Sequence, residues 1–229
     1  MRRTLTIILC AMVLLVMGWG VFGLVNTPFQ SEPGVSYALS EPIVDVSQYG
    51  NLGYVDTTDT MINEWFPDTN YGWYNSIWVR ESGTISSLIY FNISSIPSSS
   101  TVMSATLELW CTGSGGHTVD VSTYQVLRPW DEGQATWFLA RTGVPWGAPG
   151  CNSITTDRLP DSEDTVTVLA DNAWYELNIP STVQSWVSTP SSNQGVMLRG
   201  SGEHYVQFSF ASSEYWDTDL RPILKVKYV

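Results

Sequence analysis

From about residue 51 onward the chain alternates between apolar and polar positions with a period of two. In 105–111, Ala105, Leu107 and Leu109 alternate with Thr106, Glu108 and Trp110. In 206–212, Val206, Phe208 and Phe210 alternate with Gln207, Ser209 and Ala211, and near the C-terminus Leu224, Val226 and Tyr228 alternate with Ile223, Lys225 and Lys227. Successive side chains of an extended strand point to opposite faces, so each run predicts a strand with one buried face. Further strands are expected at 54–62, 76–81, 86–93, 117–127, 164–169, 173–179 and 195–199, separated by Gly, Pro, Ser and Asn clusters such as SSIPSSS and TPSSNQG. A helix is predicted only at 180–187, where Pro180 stands at the start and Val183, Trp186 and Val187 fall at i, i+3 and i+4. About ten strands with one short helix predict an all-β fold, an antiparallel two-sheet β-sandwich of jelly-roll type.

The N-terminal quarter follows another pattern. Met1-Arg2-Arg3 precedes a mostly apolar run to residue 25, which reads as a signal peptide or a signal-anchor helix. Export is therefore expected, to an extracellular or cell-surface location, with possible membrane anchoring through residues 4–25. Residues 26–50 carry three prolines and no lasting periodicity, so they read as a linker or stalk. The sandwich domain is expected over 51–229.

Charge narrows the choice of partner. The formal net charge is −12 with only ten Lys and Arg, which disfavours nucleic acid. His117 and His204 are the only histidines, and neither sits at a metal-ligand or triad spacing, so neither zinc nor Ser-His-Asp chemistry is expected. Calcium is the one cofactor the acidic residues suggest, through Asp56, Asp59, Asp217 and Asp219, although no DxDxDG loop is present. Beyond the leader, Cys111 and Cys151 can form a disulfide in an exported chain or remain two buried thiols.

Two stretches carry candidate chemistry. In 124–137, YQVLRPWDEGQATW, charges are set among tryptophans and require partners. The structural reading makes this a corner in which Trp130 and Trp137 fill the core and Glu132 is held by a nearby cation such as Arg128 or by backbone amides at the bend. The catalytic reading would pair Asp131 and Glu132, but adjacent residues on an extended backbone point apart. The second stretch, 65–74, packs aromatics and amides into a loop. Flat rings stack on sugar C–H faces while Asn and Asp take hydroxyls, so Trp65, Asn70, Tyr71, Trp73 and Tyr74 are expected to bind carbohydrate, joined by Trp216 if the loops share one end. Trp78, Arg80, Glu108 and Trp110 form an alternative site on a sheet face.

Taken in order, Asp59 to Ile62, PDTNYG (67–72), SIWVR, 88–110, 124–137, PWGAPG (145–150), WYELNI, VQSWV, NQGVMLR and the C-terminal LRPILKVKY resemble DNRLRE-domain proteins. That family overlaps a class of carbohydrate-binding modules and includes disaggregatase-related proteins of cell envelopes. The resemblance implies a secreted jelly-roll module, often attached to polysaccharide-degrading enzymes, alginate-directed ones among them. The chain departs from it at Tyr90-Phe91-Asn92, where such proteins often carry Arg-Phe-Asp. The function expected is non-catalytic binding of polysaccharide or a cell-envelope glycan. A structural or adhesion module of the envelope is the alternative, and a polysaccharide lyase or hydrolase is the third reading.

Overall fold

A computed structural model describes residues 45–49, by their backbone, and 57–229 apart from residue 203. The leader at 1–25 and Asp56 lie outside the described residues. Thirteen strands and one α-helix follow in order: β1 (Asp45–Tyr49), β2 (Thr57–Asn63), β3 (Ser76–Arg80), β4 (Ile85–Phe91), β5 (Val102–Gly113), β6 (Val119–Gln125), β7 (Leu139–Arg141), β8 (Val144–Pro145), β9 (Thr165–Val168), β10 (Ala173–Asn178), α1 (Pro180–Ser188), β11 (Val196–Ser201), β12 (Gln207–Ala211) and β13 (Ile223–Tyr228). Among the described residues no helix is long and apolar enough to cross a membrane.

The strands form two main antiparallel sheets. One runs β1-β13-β5-β12-β3 with β10 also on β5, the other runs β2-β4-β11-β6-β9, and β7 pairs with β8 in a small hairpin. The 12 residues of β5 are long enough to serve three partners: β10 on 106–111, β13 on 102–108 and β12 from Cys111 to Gly113. The pairing of Asp45–Tyr49 with β13 places a strand inside the stretch read as linker, so the folded sheet begins before residue 51.

One apolar cluster draws on both sheets, with Leu107, Leu109, Phe208 and Phe210 from the first and Ile89, Phe91, Val121 and Leu198 from the second. The two sheets thus face each other across a shared core, giving a β-sandwich-like fold. β5 keeps the predicted alternation: Ala105, Leu107, Leu109 and Cys111 are buried while Thr106, Glu108 and Trp110 turn outward, whereas Ala211 in β12 and Ile223 in β13, placed on the outer face by the pattern, are buried. The helix forms as expected, its Thr182, Val183, Trp186 and Val187 buried. Its first turn is capped from outside, since the amides of Ser181 and Thr182 donate to Glu163 at 2.6 and 2.8 Å.

The second sheet departs from simple alternation. In β4 the outward Leu88 is as buried as the inward Ile89, and in β11 Met197 matches Val196 and Leu198. Leu88, Met197 and Ile62 pack in a separate cluster with Val126, Trp137, Ala140, Trp146 and Cys151. The long excursion between β6 and β9, which includes the β7–β8 hairpin, therefore covers the outer face of this sheet. Strands buried on both faces read as continuous apolar runs.

Candidate functional site

The run 126–157 is held as a rigid unit over that sheet. Asp157 is fully buried and accepts from the amides of Gly147, Ala148 and Ser153 at 2.8, 3.0 and 3.1 Å. The Arg128 Nε donates to it at 2.7 Å. Burial alone would raise its pKa, but these donors outweigh burial and hold the carboxyl below its ordinary 3.8. Arg128 is thus spent on Asp157 rather than on Glu132. Glu132 is held instead by a backbone amide, because Asp59 N–H donates to its Oε1 at 2.8 Å. Neither Arg128 nor an amide of the bend itself is its partner; the amide comes from β2.

Trp137 is buried as expected, and Trp146 beside it donates its Nε1 to the Thr136 carbonyl at 2.9 Å. Trp130 is different. It packs at the border of the second cluster, partly buried, tethered by its Nε1 to the Gln194 carbonyl at 2.9 Å. It is a wall of the surface as well as a piece of core.

The aromatic loop is clamped to this corner. Asn70 Nδ2 donates to the carbonyls of Glu132 and Ala135 at 2.7 and 2.8 Å, and its Oδ1 accepts from Gly72 N–H at 3.2 Å. A Cβ on Gly72 would stand 2.2 Å from the Glu132 carbonyl oxygen, so only glycine permits this approach. Tyr71, 8 % exposed, seals a small cluster with Met61 and Ile85. Asn70 and Tyr71, expected among the sugar-binding residues, thus hold the loop to the corner and to the core. Tyr74 remains exposed and packs edge-on to Tyr71, while Trp65 stands outside the cleft lining with Arg80 4.7 Å from its ring.

What the clamp leaves projecting is Trp73, 74 % exposed. It lines an open cleft of about 610 Å³ together with Trp130, Asp131, Glu132, Tyr90 and Gln194. The corner read as structure and the loop read as binding site thus meet in one cleft. The loop carrying Trp216 is tied to the same region, because Ser212 Oγ donates to the Tyr74 carbonyl at 2.7 Å. Trp216 is 75 % exposed but does not line the cleft. On the alternative sheet face the residues are engaged pairwise: Trp110 meets Trp174 at 5.5 Å, and Lys225 bonds Glu108 at 2.5 Å.

Behind the cleft three carboxylates crowd together. Asp59, expected as a calcium ligand, is 1 % exposed and accepts from Ser213 N–H at 2.6 Å. Its Oδ1 and the Oε2 of Glu214 are buried without a partner. Burial, then the charge of Glu214, push the Asp59 carboxyl well above 3.8 despite the Ser213 bond. Burial likewise raises Glu132 from 4.5 to about 7, opposed by the Asp59 amide and reinforced by Glu214 and Asp131. Among the described residues no three His, Cys, Asp or Glu are grouped so as to hold a metal ion. Asp217 and Asp219 sit in one turn, where the Asp217 carboxylate caps the Asp219 amide at 3.1 Å.

Cys111 and Cys151 are both free and buried, in different clusters. The pairing considered from sequence is not made, because each thiol fills its own core. Burial raises both pKa values, that of Cys111 to about 11.

The profile of the disaggregatase-related repeat domain matches residues 59–226, nearly all of the sheets and the cleft. The chain belongs to the disaggregatase-related repeat family. The disaggregatase-related part of the sequence resemblance is thereby shown. No curated protein matches this member. Within the disaggregatase-related repeat, Asp157, Glu163, Asn193, Gln194 and Glu214 were not singled out from sequence. Their roles arise from segments far apart in the chain, and only the NQG turn at 193–195 left a local trace.

Proposed function

We propose that this disaggregatase-related repeat is an exported, non-catalytic module of jelly-roll type that binds polysaccharide or a cell-envelope glycan in the Trp73–Trp130 cleft. The observation that carries the reading is the exposed indole of Trp73, on a loop hydrogen-bonded to the corner through Asn70, lining the same cleft as the partly buried Trp130. A ring that costs solvation in the free protein gains on stacking against sugar C–H faces. The cleft is open, as a chain-binding site must be. Asp131 and Glu132 come from one turn on one wall, whereas glycoside hydrolysis needs carboxyls on both sides of the bond. Calcium has no role in this reading.

Affinity electrophoresis against a panel of polysaccharides tests it. The wild-type chain is retarded by at least one polymer, and Trp73→Ala weakens that retardation about three- to ten-fold, as loss of one stacking ring does. The variant keeps its melting temperature because the ring is exposed. Absence of retardation by every polymer, with and without Ca²⁺, overturns the reading. Self-association of the purified chain in that case favours the structural or adhesion role.

A further inference from the structure

We propose that the cleft is selective by charge, taking amine-bearing glycans in preference to neutral ones and rejecting polyuronates. The inference rests on the glycan-binding reading above and concerns the substrate class of the same site. The amides that could serve neutral hydroxyls already have backbone partners. Asn70 bonds two carbonyls of the corner. Asn193 donates to the Phe91 carbonyl at 2.9 Å and accepts from Gly195 N–H at 3.1 Å, and Gln194 donates to the Ser191 carbonyl at 3.1 Å. The side chains of Asp131 and Glu132 retain accepting capacity, and ionised carboxylates only accept.

No Lys or Arg lines the cleft. The two ion pairs among the described residues, Arg128–Asp157 and Lys225–Glu108, use their cations elsewhere. Glu132 faces like charge from Asp131 within its own turn and from Glu214 on the loop after β12. An ammonium placed there gains three donors for those acceptors and two indole faces, which attract a cation. A uronate carboxylate meets repulsion from the same carboxylates instead, and no cation in the lining offsets it.

Titration calorimetry at pH 6.5 with glucosamine oligomers, their N-acetylated counterparts of equal length and oligouronates separates the outcomes. The free-amine oligomer is expected to bind about five- to ten-fold tighter than the acetylated one, the size of a half-buried charge pair. That advantage shrinks in 0.5 M NaCl. Glu132→Gln abolishes the preference for the free amine over its acetylated counterpart. Equal binding of acetylated and free-amine chains, or uronates binding as tightly as either, overturns the charge selection and leaves the glycan-binding reading standing. Failure of every oligomer to bind overturns both. The salt and acetylation comparisons need only the wild-type chain, so they decide the matter even if the variant does not fold.

Discussion

Replacing Glu132 with Gln isolates the cost of charge behind the cleft. The amide keeps an oxygen for the Asp59 N–H, so that bond to the side chain survives the change. What is removed is ionisation. The folded pKa of about 7 lies above the ordinary 4.5, so between those values the folded chain holds a proton that the unfolded chain has lost. Stability from this group is therefore complete below pH 4.5, falls as pH rises toward 7 and stays low above it. At full weight the difference corresponds to about 3 kcal/mol. The side chain is half open to water, and screening reduces this to roughly 1–2 kcal/mol. In Glu132→Gln that loss disappears, so at pH 8.5 the variant is more stable than the wild type by that amount, or roughly 2–8 °C in melting temperature for a domain of this size. At pH 4 the two coincide. Thermal or urea unfolding of both chains across pH 4–8.5 measures the gap directly. A gap that does not change with pH, or a variant less stable than wild type at pH 8.5, refutes the claim that the Glu132 charge is uncompensated.

Two further outcomes follow from the buried groups. Asp157→Ala should cost about 3–5 kcal/mol in urea unfolding, because Arg128 and three amides lose their acceptor together. Since the Asp157 pKa is lowered, its stabilisation is present above about pH 4 and is lost as pH falls through the folded value, so the cost of the variant should diminish in acid. Cys111 and Cys151 should resist a thiol reagent in the folded state and react together on unfolding; a mass increase of two protons on reduction would instead show a disulfide.

The period-two runs were enough to assign β5, β12 and β13 of the first sheet, because a strand with one buried face reports it by alternation. The helix at 180–187 was equally legible, since its buried residues are local neighbours in one turn pattern. The ordered blocks from Asp59 to the C-terminal strand also carried the family. The second sheet was harder to read. Leu88 and Ile89 are both buried because a distant excursion covers the outer face, and local periodicity does not register a cover that comes from elsewhere in the chain. The β7–β8 hairpin and the strand at 45–49 went unpredicted, since short pairings depend on the partner rather than on their own pattern.

The site divides along the same line. That an exposed aromatic loop exists at 65–74 was visible in its composition, and that 124–137 needs partners for its charges followed from desolvation alone. Which rings stay free was decided by contacts across the fold. Asn70 is taken by the corner, Tyr71 by a small core, and Trp73 is left to the solvent. Trp130 looked like core from sequence and became a cleft wall because the Gln194 carbonyl holds it at the border. Residue type determined what each side chain is able to do. The tertiary structure determined which of those capacities remained unspent, because hydrogen bonds and burial are satisfied by partners far away in the chain.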